Sequence, residues 1–122
     1  MRYMMLIYSK ETAAEMSPEE FAYIRAGHAK VLRAATDKGI LQGAEPLART
    51  SSATTVRVED GKTLITDGPF AETKEQLGGY YLVEAKDAAE ATSLAARIPA
   101  ARYGSVEVRP ILSMARPESH AA

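Results

Sequence analysis

Two runs constrain this chain more than anything else in it: Tyr3-Met4-Met5-Leu6-Ile7-Tyr8 and Tyr80-Tyr81-Leu82-Val83, apolar at every position. A strand turns successive side chains to opposite faces, so a run without polar alternation needs cover on both of them. Neither is long enough to cross a membrane as a helix. The rest of the chain must therefore supply two layers of cover.

Helices supply one layer. Ser17-Pro18-Glu19-Glu20 reads as a helix start, with Ser as cap, Pro in the first helical position and Glu three residues after the cap. The helix is expected to run to about Lys38 and stop at Gly39, with Phe21, Ile24, Val31, Leu32 and Ala35 as its apolar stripe and His28 on the same stripe. Asp87-Ala88-Ala89-Glu90 has the same capping pattern and opens a helix with Ala91, Leu94, Ala95 and Ile98 inward, stopped by Pro99.

Strands fill the remainder. Ile40 to Leu47 reads as an extended segment interrupted by Pro46. Thr54 to Val58 and Thr63 to Thr66 flank the turn Asp60-Gly61 as a hairpin, and Tyr80 to Ala85 continues the second apolar run. Ser105 to Leu112 is a last strand, with Val106 and Val108 on one face and Glu107 and Arg109 on the other. Residues 115–122 read as a flexible tail behind a single domain of residues 1–114. The order predicts an α+β fold, a ferredoxin-like βαββαβ with an extra β-hairpin. Both helices cover one face of such a sheet, so the other face calls for a second copy of the chain, related by a two-fold axis. A homodimer is the expectation.

Composition narrows the partners. With 122 residues, 46% hydrophobic, the chain suits one ordinary globular domain. A net charge of -1 gives no basic surface for nucleic acid or for an anionic membrane. The chain has no cysteine, which removes disulfides, thiolate nucleophiles and cysteine metal sites. The apolar start, Met1 to Ile7, is too brief for a membrane span and no small-residue cleavage site follows it, so a cytoplasmic protein is expected.

Function is sought in the segment between the hairpin and the second apolar run. Asp67-Gly68-Pro69 stops a strand, a charged stretch follows, and Gly78-Gly79 leads into Tyr80. The run DGPFAETKEQLGGYYLVEA resembles the signature of the YCII-related proteins, in the branch named for its DGPF motif, and Glu107-Val108-Arg109-Pro110 agrees with it. The resemblance implies a dimeric α+β barrel with a cleft between sheet and loops. It also implies an acid–base dyad of a histidine on the first helix and an aspartate after a central strand, which fall here on His28 and Asp67.

A histidine beside a carboxylate is the minimum equipment for moving a proton near neutral pH. Each residue also has a plainer reading, His28 as a core histidine and Asp67 as a turn residue. Tyr80 and Tyr81 face opposite ways, so one lines the helix side and the other the dimer side. With Phe70 they are the candidate ligand contacts. His28 and His120 are the only histidines, in no spacing suited to a metal. Gly78-Gly79 opens a strand and not a helix, so no phosphate loop is expected, and no cofactor.

Two functions remain in play. One is an acid–base enzyme acting on a small cyclic or carbonyl compound, for which the resemblance to the dimeric barrels implies isomerase- or lactone-hydrolase-like chemistry. The other is a ligand-binding or regulatory module without chemistry, which the resemblance links to extracytoplasmic-function sigma factor signalling. The His28 ring and the Asp67 carboxylate within hydrogen-bond reach in an open cavity would favour the first reading, and a histidine sealed against backbone carbonyls excludes it.

Overall fold

The computed structural model describes residues 1–11 and 16–113, so the expected tail and His120 lie outside the described residues. The described residues form β1 (Arg2–Ser9), α1 (Pro18–Asp37), β2 (Leu41–Pro46), β3 (Thr54–Glu59), β4 (Lys62–Asp67), β5 (Gln76–Glu84), α2 (Ala88–Ala95), α3 (Ala100–Tyr103) and β6 (Ser105–Pro110). Four strands make the main sheet in the order β2-β5-β1-β6, and β3 and β4 pair only with each other. Every pairing is antiparallel. This α+β arrangement is consistent with the ferredoxin-like pattern, the β3–β4 hairpin being inserted between β2 and β5.

Helix α1 begins where its capping box places it. The Glu20 amide donates to Ser17 Oγ at 3.1 Å and the Ser17 amide donates to Glu20 Oε1 at 3.2 Å. At α2 the reciprocal bond differs: the Glu90 amide donates to Asp87 Oδ1 at 2.9 Å, while Glu90 Oε1 accepts from the Lys86 amide, one residue before the cap, at 2.8 Å. Pro99 does not end the helical path there. It lies between α2 and the short α3, a turn that the pattern of the chain did not suggest.

Burial follows period two along the central strands. Tyr3, Met5 and Ile7 of β1 and Tyr81 and Val83 of β5 are buried beneath the helices, with Val31 and Ala35 of α1 and Ala91, Leu94, Ala95 and Ile98 packed on them. Phe21, expected on the inward stripe, is 48% exposed. It stands in the first turn of α1, and the buried residues of that helix, Val31 and Ala35, lie in its second half.

The opposite residues, Met4, Leu6, Tyr8, Tyr80 and Leu82, are only half-buried. Both runs are thus covered on one face within a single chain. The β5 strand also starts earlier than the apolar run, at Gln76, and carries Gly78-Gly79 inside the sheet.

The hairpin stands apart from this core. Its turn puts both Asp60 (φ 51°) and Gly61 (φ 77°) in the left-handed region, as a two-residue connection between twisted strands requires. Val56 pairs with Ile65 and Val58 with Thr63 on one face, and Ile65 is 68% exposed. A two-stranded ribbon with apolar residues in water is marginal alone.

Candidate functional site

The site grows from one face of α1. Arg25, His28 and Leu32 follow each other at spacings of three and four, and Ala29 lies four after Arg25 and three before Leu32, so they share a face. That face looks onto the end of the sheet where β2 leaves and β5 begins. Between them lies an open cavity of about 430 Å³, walled by those four residues with Ile7, Ser9, Ala44, Gly78, Gly79, Tyr81 and Tyr103, and by Glu45 and Pro46 at the end of β2. The volume is in the range of small-molecule sites, and its walls are mainly apolar.

Gly79 makes the floor possible. It pairs with Ile7 on the buried side of the sheet, two residues before Tyr81, so a side chain there would project toward the helices. A Cβ at this position would also lie 2.8 Å from the Glu45 carbonyl oxygen, closer than such contacts occur, and a tight 3.3 Å from Pro46 Cα. Glycine therefore lets β2 close on β5 and leaves the space above it empty.

Over that floor His28 Nδ1 and the Tyr81 hydroxyl are hydrogen-bonded at 2.6 Å. The rings meet edge to face, with centroids 6.0 Å apart and planes at 68°. Burial lowers the His28 pKa below its usual value and raises that of the Tyr81 phenol to about 12, because both charged forms lose hydration there. At neutral pH the pair holds an uncharged imidazole and an intact phenol. Either nitrogen–oxygen polarity suits the bond: the phenol donates to Nδ1, or Nδ1–H donates to the phenol oxygen. In both cases Nε2 is the ring nitrogen left for another partner.

Of the residues singled out in the sequence, His28 and Tyr81 meet in this cavity, while Asp67, Tyr80 and Phe70 lie away from it. Asp67 is exposed at the end of β4, paired with Thr54 across the hairpin. Among the described residues no hydrogen bond or ion pair joins Asp67 to His28; the partner of His28 is Tyr81. Just after Asp67, the hairpin is pinned by the Gly68 amide donating to the Ala53 carbonyl at 2.7 Å and by Thr55 Oγ1 donating to the Gly68 carbonyl at 2.7 Å. Phe70 is 77% exposed. Tyr80 points to the open face of the sheet, and neither it nor Phe70 lines the cavity. Arg25, Gly79 and Tyr103 were not among the candidates. The spacing of Arg25 three before His28, and of Gly79 two before Tyr81, is the signal in the sequence that joins them to the site.

A second cluster steadies the near end of the sheet. The Glu11 carboxylate accepts from the Thr50 amide at 2.7 Å and from Thr50 Oγ1 at 2.7 Å, and the Glu11 amide donates to Gln76 Oε1 at 3.1 Å. The bonds from Thr50 hold the Glu11 pKa below the usual carboxylate value. This ties the exit of β1 to the segment before the hairpin and to the start of β5, both beside the cavity. Among the described residues no group of three or more His, Cys, Asp or Glu is gathered as for a metal ion, and no helix is long and apolar enough to cross a membrane.

Comparison with known proteins gives one family and one uncharacterised relative. The profile of the YCII-related domain matches residues 1–115. An uncharacterised protein of Rhizobium meliloti (strain 1021) is 38% identical over 114 residues, which span 91% of this chain and 92% of the relative. The match over nearly the whole chain shows that it belongs to the YCII-related family.

Proposed function

We propose that the cavity binds a small carbonyl compound and that His28 and Tyr81 move a proton on it, in isomerase-like chemistry. The observation that carries this reading is the bond between His28 Nδ1 and the Tyr81 hydroxyl at 2.6 Å, inside a cavity whose burial disfavours charge on either partner. A pair that resists charge is suited to passing protons without forming an ion. With Nδ1–H bonded to the phenol oxygen, Nε2 is a free base.

Nε2 takes a proton from the carbon beside the substrate carbonyl while the Tyr81 hydroxyl gives its proton to the carbonyl oxygen. The Nδ1 proton crosses to the phenol oxygen in the same event. One C–H bond is lost, one O–H bond is formed, and the pair ends neutral in its other tautomer. Returning the Nε2 proton to a different carbon, with the other two steps reversed, completes the isomerisation and restores the starting tautomer.

The test is exchange of α-protons for deuterium in heavy water, followed by proton NMR on a panel of small cyclic ketones and lactones. Exchange faster than in buffer, reduced at least about tenfold in both His28→Gln and Tyr81→Phe, is the expected result. Binding without exchange would make the cavity a ligand site of a non-catalytic module. No exchange and no binding would remove the cavity from consideration.

We also propose that two copies pair through the open face of the main sheet. In support, Met4 stands opposite Leu82 and Leu6 opposite Tyr80, forming apolar cross-strand pairs that the helices, on the other side, leave half-exposed. Val56 and Ile65 on the hairpin add exposed apolar area. Pairing by a two-fold axis would produce the dimeric α+β barrel, with both faces of Tyr3 to Tyr8 covered as the run requires.

A further inference from the structure

Among the described residues, the charges that the cavity wall presents are one-sided. Arg25 lies on the wall, three residues before His28 on the same face of α1, with its guanidinium carbon 5.9 Å from the centre of the Phe21 ring. Glu45 also borders the cavity, but it pairs with Tyr80 across the sheet, and residues directly opposite share a face. Its carboxylate is therefore directed to the open side of the sheet, and its backbone is what borders the space. His28 and Tyr81 satisfy each other and are uncharged. Among the described residues, Arg25 is then the one charged side chain that the cavity wall presents, exposed at its edge, with Ser9 as a further polar group and apolar walls behind.

We propose that the ligand of this cavity is a small, largely apolar molecule bearing a single carboxylate, held at the mouth by Arg25 with its body over Gly79. The guanidinium fork matches a carboxylate in two parallel bonds, and Phe21 beside it limits the directions in which the fork can point. A neutral ligand leaves Arg25 without a partner, and a cationic one meets it with repulsion. Depth sets the size. A cavity of about 430 Å³ takes one or two rings beyond the carboxylate.

This inference rests on the cavity being a ligand site, and the experiment separates the two. Para-phenylbenzoate and its neutral amide, para-phenylbenzamide, are titrated into the protein while the amide signals of Gly78, Gly79 and Ala44 are followed by NMR. The acid is expected to shift those signals and to bind about tenfold more tightly than the amide, the factor that a charge-assisted bond at a partly exposed site supplies. Arg25→Gln should weaken the acid about tenfold and leave the amide unchanged, while Arg25→Lys restores part of the loss. Equal affinity of acid and amide, or an equal loss of both in Arg25→Gln, would overturn the carboxylate assignment and leave the cavity a ligand site. Silence of all three signals with both compounds would overturn both.

Discussion

His28 and Tyr81 are held where neither carries charge easily, and that governs how each responds to substitution. Tyr81→Phe keeps the ring and its packing and removes one hydrogen bond. The cost in stability should be about 1 kcal/mol by denaturant unfolding, while proton exchange on a carbonyl substrate falls at least about tenfold. His28 also makes stability depend on pH with a definite sign. Its folded pKa lies below the unfolded value of 6.5, so the stabilising contribution is complete above pH 6.5 and is lost as the pH falls from there through the folded pKa. Unfolding midpoints measured between pH 7 and pH 5 should drop in the wild type and drop less in His28→Gln. Only part of this was legible in the sequence: the helical stripe gives His28 an inward position, but its partner depends on which strand faces α1, and that follows from sheet order. Asp67, two residues past the hairpin's last apolar side chain, belongs to a ribbon that does not join the main sheet, and no local pattern announces that.

At the scale of elements, the cavity depends on how closely β2 approaches β5. Gly79→Ala should cost about 1–3 kcal/mol, because the added Cβ meets the backbone of Glu45 and Pro46, and it should abolish ligand-induced shifts at Ala44. A denaturation curve and a ligand titration on the same variant check both halves. Glu11 provides a second element-level lever. Its folded pKa is depressed, so its contribution to stability is present above the usual carboxylate pKa and lost as the pH falls through the folded value. Glu11→Gln should remove that acid-side loss and speed amide exchange at Thr50. Helix starts were readable from Ser17 and Asp87 because capping is local chemistry. The short α3 after Pro99 was not, since four residues carry no periodicity, and Gly78-Gly79 read as the approach to a strand because glycine gives no sign of which chain it must let past.

For the molecule as a whole, the proposed pairing through the open face of the sheet is what a mass measurement tests. The runs beginning at Tyr3 and Tyr80 asked for two layers, and one chain provides one. Light scattering at micromolar concentration should give twice the mass of 13.2 kDa. Leu82→Glu, which places a charge at the centre of the open face, should yield a folded monomer with an unchanged far-ultraviolet circular dichroism spectrum. A monomeric wild type would leave the second layer unexplained. The α+β class and the succession of elements along the chain could be anticipated because they follow from alternation, caps and turns. Where the hairpin sits against the rest could not, because its residues pair only with each other.

The most direct test of the central claim is the titration of the His28 ring by NMR in the wild type, Tyr81→Phe and Asp67→Asn. A neutral imidazole paired with Tyr81 predicts a pKa below 6.5 in the wild type, moved by Tyr81→Phe and unmoved by Asp67→Asn. A pKa above 6.5 that falls in Asp67→Asn would contradict it, and would make His28 one half of a charged dyad with Asp67.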